Sequence, residues 1–287
     1  MDNANVLGDY LRARRGRVRP EEVDLPPGGR RRVPGLRREE VASLAGLSVD
    51  YYTRLEQGRE QHPSASVLNA LAGTLRLGAD AQRYLFAIAT PGPRGAAHRR
   101  RSAVGENLTA LVDEWRDHPA LLVDSLNDIV AANHLGRALY SDVGVGGNTL
   151  RFLFLDERAP GFHREWERTT ASTVAAVRAA AAHTPDDPEL MALIGELAVR
   201  SPRFARLWAR ADVREKTTDV LQVRHALVGD LDLVYETFRP TSAPDQLLKV
   251  YRALPGSESA DKLAVLGSLT AGAVQEAGDA RAQVKKT

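Results

Sequence analysis

Apolar residues recur at helical spacing through the first third of the chain and then give way to a mixed pattern. Leu7, Tyr10, Leu11 and the stem of Arg14 share one side of a helix predicted over Val6 to Arg15. Residues 16–34 hold Pro20, Pro26, Pro27, Gly28, Gly29 and Pro34, a stretch too broken for helix or strand and read as a long loop. A short helix from Arg37 to Leu44 follows, with Val41, Leu44 and Ala45 expected to face a core. Gly46 supplies the left-handed residue that ends it, and Ser48 is a ready N-cap for the next helix. That helix should bury Tyr52 and Leu55 and expose Val49, Asp50, Thr53, Arg54 and Gln57. Pro63-Ser64 opens a fourth helix carrying Val67, Leu68, Leu71, Ala72 and Leu75, and Gly78-Ala79-Asp80 leads into a fifth that ends near Ala89.

Beyond residue 104 both periods occur. Leu121–Val123 and Ile129–Ala131 are short enough for strands joined by a turn at Ser125–Asp128. Helices are expected at Asn133–Tyr140, Trp166–Ala182 and Pro188–Arg200. In the last of these Leu190, Leu193, Ile194 and Leu197 form a stripe. Val220–His225, Leu231–Phe238 and Leu247–Tyr251 read as strands, with Gly229-Asp230 as a hairpin corner, and Ala260–Val274 as a closing helix. The prediction is a multidomain chain. An all-α domain over 1–89 is followed by a linker over 90–104, an α+β domain over 105–273 and a flexible tail over 274–287.

Two short helices joined at a tight corner, the second exposing polar residues, make a helix-turn-helix whose second helix can enter the DNA major groove. Charge follows the same division. Residues 1–90 carry 14 Arg, no Lys and 11 acids, residues 91–104 add four Arg, and residues 105–287 set 21 bases against 26 acids. The base-rich first third suits a polyanion and the acidic remainder does not. The chain has no cysteine, which excludes disulfides, thiolate metal sites and a thiol nucleophile. No apolar run is long enough to span a bilayer and no signal-peptide core is visible, so a cytoplasmic address is the expectation and no membrane partner is expected.

The run Arg30 to Ala42, then Tyr51-Tyr52-Thr53-Arg54-Leu55-Glu56-Gln57-Gly58-Arg59, Pro63-Ser64 and Val67 to Ala72 resembles lambda-repressor-like (XRE) regulators, and more narrowly the MmyB-like transcription regulators. Leu153-Phe154-Leu155-Asp156, Pro185 to Leu190, Leu207-Trp208-Ala209-Arg210 and Asp212-Val213-Arg214-Glu215 carry the resemblance through the second domain, so that it covers Leu7 to Leu269. It implies a lambda-repressor-like helix-turn-helix followed by a PAS-like sensor that binds a small, apolar, fatty-acid-like ligand. The function expected is that of a sequence-specific, homodimeric transcription regulator whose operator affinity the ligand modulates.

For double-stranded DNA, Arg54 can donate a bidentate pair to guanine and Thr53 can touch a thymine methyl. Asp50 either accepts from cytosine or only stabilises the helix dipole. Ser48, Val49 and Tyr51 complete the reading end, with Tyr51 directed to phosphate. Arg37, Arg38 and Arg59 are placed for phosphate as well. The Arg30–Arg32 run either grips flanking backbone or is a solvated loop. Glu56 is expected to brace the helix pair by bonding to a neighbouring backbone group or Arg. In the second domain Tyr140, Trp166, Trp208, Tyr235 and Tyr251 are candidate apolar walls of a ligand pocket. His225 is a candidate to orient a ligand's polar group, and it and Arg224 should point to opposite faces of a strand. The Gly-rich stretch Ser141–Asn148 lacks the Gly-Lys-Ser/Thr ending of a phosphate loop and is either a flap or a plain connection. The seven histidines show no metal-ligand spacing, no nucleophile elbow is present, and no catalytic residue or cofactor is expected. Two rival classes are an architectural or antitoxin-like DNA-binding protein and an enzyme fused to a DNA-binding domain.

Overall fold

A computed structural model describes residues 5–26, 35–60, 62–90, 105–182, 184, 187–214 and 218–270. The Arg30–Arg32 run, linker residues 91–104 and the expected tail over 274–287 lie outside the described residues. In chain order the helices are α1 (Val6–Arg15), α2 (Arg38–Leu44), α3 (Val49–Glu56), α4 (Ala65–Thr74), α5 (Ala79–Ala89) and α6 (Glu106–Asp113). After strands β1 (Ala120–Val123) and β2 (Ile129–Ala132) come α7 (His134–Leu139), α8 (Thr149–Leu155), α9 (Ala159–Phe162), α10 (Trp166–Ala181), α11 (Pro188–Arg200) and α12 (Pro202–Ala209). Strands β3 (Thr218–His225), β4 (Gly229–Phe238) and β5 (Leu247–Arg252) precede a last helix, α13, over 258–270. By packing the described residues form two units: those within 5–90 and 171–214, and those within 105–170 and 218–270.

In the first unit Leu11, Leu36, Val41, Ala42, Tyr52, Leu55, Leu71, Leu75 and Leu85 build a common core. Helix α1 has the bounds its pattern predicts. The loop after it contains a 3-10 turn over Pro20–Val23, because Pro20 stands at its first position, where the missing N–H costs nothing. Leu44 was expected in the core and is 41% exposed. At about 100° per residue, Val41, Ala42 and Ala45 fill the inner arc of α2, and Leu44 falls roughly 100° from its centre. Gly46 takes φ +67°, and the Ser48 hydroxyl accepts from the Tyr51 N–H at 3.1 Å, so the corner has the chemistry its residues promised. Ala182 and Ala211 also join this core, with Val213 packed at its margin.

The second unit is built on one five-stranded antiparallel sheet in the order β2-β1-β5-β4-β3. The two-residue period puts Leu121, Val123, Leu221, Val223, Leu231, Leu233, Tyr235 and Tyr251 on the face covered by Leu139, Phe152, Phe162, Leu263 and Leu266. Ala120, Leu122, Leu248 and Val250 face the other way and pack with Val112 of α6. Asp124 accepts from the N–H groups of Leu126 and Asp128, both at 2.9 Å, and closes the turn between β1 and β2. Helices α6, α8, α9 and α12 add to the elements expected from the pattern. The Gly-rich stretch before α8 is a pinned connection: Gly146 N–H donates to Ile129 O at 2.7 Å, and Ile129 N–H to Gly147 O at 2.9 Å. Asn148 caps α8 through Arg151 N–H and donates to Leu126 O at 2.8 Å. No helix among the described residues is long and apolar enough to cross a membrane.

Candidate nucleic-acid interface and aromatic core

Helix α3 is held from behind and left open in front. Tyr52, Leu55 and Glu56 are all 0% exposed, whereas Val49, Asp50, Arg54 and Gln57 are exposed and Tyr51 and Thr53 half-buried. Its last turn is the most heavily anchored part. The Glu56 carboxylate accepts from Arg15 Nε at 2.6 Å, Arg15 Nη2 at 3.3 Å and Arg38 Nε at 2.7 Å. The Glu56 carbonyl accepts from Asn5 Nδ2 at 2.9 Å and Arg12 Nη2 at 3.2 Å. Gly8 permits this approach, since a Cβ there would sit 2.3 Å from that carbonyl oxygen. Burial pushes the Glu56 carboxyl upward, but the hydrogen bonds from Arg15 and Arg38 outweigh it and hold the group below its ordinary value. Burial likewise raises the Tyr52 phenol, with the Glu56 charge adding to it, so Tyr52 stays neutral.

On the open side, Arg54 pairs with Asp50 at 3.1 Å, one helical turn away, and its guanidinium lies 6.0 Å from the Tyr51 ring centre. Asp50 therefore sits as the ion-pair partner of Arg54 on the open face of α3. Ser48 Oγ accepts the cap hydrogen bond from Tyr51 N–H, which leaves its hydroxyl proton to donate. Arg37 is exposed, and its N–H donates to Glu40 Oε2 at 2.7 Å at the start of α2. Arg59 is exposed beyond α3. Arg38 is divided: its Nε serves Glu56 while its side chain remains 41% exposed. Glu56 was expected to brace through a neighbouring backbone group or arginine, without naming which; Arg15 and Arg38 take the carboxylate, and Asn5 and Arg12 its carbonyl. Their signal was available, because Glu56 lies one turn after the inward Tyr52, and a buried acid requires a cation nearby.

In the second unit three of the candidate wall residues meet. The Tyr140 and Tyr251 hydroxyls are 3.4 Å apart, and the Tyr235 and Tyr251 ring centres 5.2 Å apart. Phe162 lies against Tyr140 at 5.8 Å, and Phe152 meets Phe162 edge-on at 5.6 Å. Burial pushes the Tyr140 phenol up to about 12, against the lowering effect of the Tyr251 hydroxyl, and raises Tyr251 well above its ordinary value. Both phenols are thus neutral hydrogen-bonding groups in an aromatic setting. Trp166 packs at the margin of the same core and donates to Leu153 O at 3.2 Å. Trp208 is placed in the first unit, stacked on Phe204 at 5.6 Å beneath the Arg178 guanidinium at 4.0 Å. His225 is buried, with Nε2 3.0 Å from Ala138 O and Nδ1 accepting from Leu227 N–H at 3.2 Å. Both ring nitrogens are therefore used inside the fold. Arg224 points outward and pairs with Asp230 at 2.8 Å. Among the described residues no cluster of His, Asp and Glu could hold a metal ion.

Residues 104–266 match the family described as the MmyB-like transcription regulator ligand binding domain, and residues 6–85 match a helix-turn-helix domain. A search of curated proteins finds no match. These domains are those of a transcription regulator, not of an enzyme family. An exposed α3 face on a braced scaffold, followed by a ligand-binding domain that accounts for more than half of the chain, leads to one conclusion: the chain belongs to the MmyB-like transcription regulators and is a DNA-binding regulator with a ligand-binding domain.

Proposed function

We propose that the protein is an XRE-type regulator that reads a specific operator with α3, and that a small apolar ligand in its C-terminal domain changes operator affinity. The observation that carries the DNA half is the anchored α3 with Val49, Asp50, Thr53 and Arg54 directed away from the core. In this reading Arg54 reads guanine, while Ser48, Tyr51, Arg37, Arg59 and the free part of Arg38 hold the phosphates. One helix-turn-helix covers few base pairs, so the active species is a homodimer on half-sites about 34 Å apart. It acts in the cytoplasm, where its DNA is.

The antiparallel order β2-β1-β5-β4-β3, with the helical crossing between β2 and β3, supports a PAS-like sensor. Within it, Tyr140, Tyr235, Tyr251, Phe152 and Phe162 supply apolar walls with neutral hydroxyls, chemistry that suits an apolar, fatty-acid-like molecule with one polar end. Trp166 stands at the edge of this set, and the satisfied ring of His225 makes it a structural support. Ligand binding that favours one of two dimer states by about 1–3 kcal/mol is enough to change operator occupancy.

The test is selection of duplexes by the full chain from a random-sequence pool, with footprinting in excess competitor. The reading requires a discrete footprint with two half-sites about one turn apart. Salt-sensitive binding without a preferred sequence would defeat it in favour of an architectural role. Long-chain fatty acids, titrated against the selected duplex, test the sensor: binding that leaves duplex affinity unchanged removes the ligand switch.

A further inference from the structure

The stretch matched to the ligand-binding family and the unit that packs around the DNA-reading helix overlap. Residues 171–214 fall inside the matched span 104–266, yet they pack with the helix-turn-helix. Ala182 and Ala211 are buried in the same core as Tyr10, Leu11, Tyr52 and Leu55. The polar part of this contact converges on one carboxylate. Asp212 pairs with Arg14 at 3.5 Å and with Arg17, whose Nη1 also donates to Arg210 O at 3.1 Å.

Helix α1 connects this carboxylate to the reading helix. Arg14, and Arg17 just past the helix end, bind Asp212, while Arg12 and Arg15 of the same helix bind Glu56 in the last turn of α3. Arginines at 12 and 15 lie on one side of the helix, and Arg14 lies about 100° from Arg15. One short helix is therefore gripped by α3 through one pair of cations and by residues 171–214 through the other.

We propose that residues 171–214 are an internal effector surface of the regulator, with Asp212 clamping α1 and, through Arg12 and Arg15, ordering α3 for DNA. This inference rests on the proposed regulator reading and names the route by which the ligand-binding domain acts on the DNA-binding one. Asp212 is a positioning residue: it touches no DNA and acts through α1.

The test uses the full chain, its Asp212→Ala and Asp212→Glu variants, and Glu258→Gln as a control that removes an exposed charge paired with Lys262 in the second unit. Amide hydrogen exchange is followed in α1 and α3, and affinity is measured on the duplex that the parent selects. Asp212→Ala should speed exchange in both helices and weaken affinity by about threefold to tenfold. Asp212→Glu should restore most of both, and Glu258→Gln should change neither. Unchanged exchange in α3 overturns the clamp. Faster exchange with unchanged affinity also overturns it, because the contact would then not reach DNA reading. Should the parent select no preferred duplex, the regulator reading fails, and exchange in α3 still decides whether the clamp exists.

Discussion

Replacing Glu56 with Gln is the sharpest test of how α3 is held. The carboxylate is 0% exposed and carries two arginines at 2.6 and 2.7 Å. Removing one partner of a buried ion pair costs about 3–5 kcal/mol, most of it from the charge left behind. Two features reduce that here. Arg38 is 41% exposed and regains water when released, and the Gln carbonyl still accepts one hydrogen bond. Arg15, at 14% exposed, has less water to return to and carries most of the loss. The expected cost is about 2–3 kcal/mol, which is roughly a 30- to 150-fold larger open population. Hydrogen exchange of α1, α2 and α3 in the full chain reads this directly, in a region separate from the sheet. The folded carboxyl lies below its ordinary 4.5, so the stability it contributes is complete above that value and is lost as pH falls through the folded value. Glu56→Gln should flatten that part of the acid limb. Exchange within threefold of the parent, with an unchanged acid limb, would refute the brace and leave α3 held by Tyr52 and Leu55 alone.

Three further outcomes follow from the same geometry. Arg54→Ala should cost about 1–3 kcal/mol on the selected duplex and relax one base position, which a repeat of the selection would reveal; an unchanged consensus would remove Arg54 from the readers. Arg59→Ala should weaken all duplexes alike and reduce the slope of log affinity against log salt by about 0.9, and a loss confined to the preferred duplex would contradict a phosphate role. Gly8→Ala gains about 1 kcal/mol of helix propensity but forces a methyl to 2.3 Å from the Glu56 carbonyl. Overpacking of that kind costs about 1–3 kcal/mol, so its thermal midpoint should fall, and a rise would show that α1 and α3 can separate freely.

Much of the fold is written locally. Helix α1, the Gly46 corner, the Ser48 cap and the stripe of α11 depend on contacts a few residues apart, and each stands where its residues place it. Leu44 is the counterexample: an apolar residue at a permitted spacing is left 41% exposed because Val41, Ala42 and Ala45 already fill the inner arc. Helix α8 had a legible cap in Asn148, but its short apolar run does not separate helix from buried strand; α12 was legible both in its Ser201-Pro202 start and in the i, i+3, i+4 spacing of Phe204, Leu207 and Trp208. The candidate sites divide in the same way. The outward residues of α3 follow from helical period alone, whereas the meeting of Tyr140 with Tyr251 depends on which strand lies beside which.

The sequence by itself determined the helix-turn-helix, the outward face of α3, the five strands and the family, because period, caps and motif spacing act over short stretches of chain. Only the tertiary structure decided that Glu56 draws Arg15 and Arg38, that Tyr140, Tyr235 and Tyr251 gather while Trp208 stacks on Phe204, and that residues 171–214 pack with the first unit. Those partners are far apart in sequence. They are chosen by the requirement that buried charge be paired and apolar surface be covered, and that requirement can be met only once the whole chain is in place.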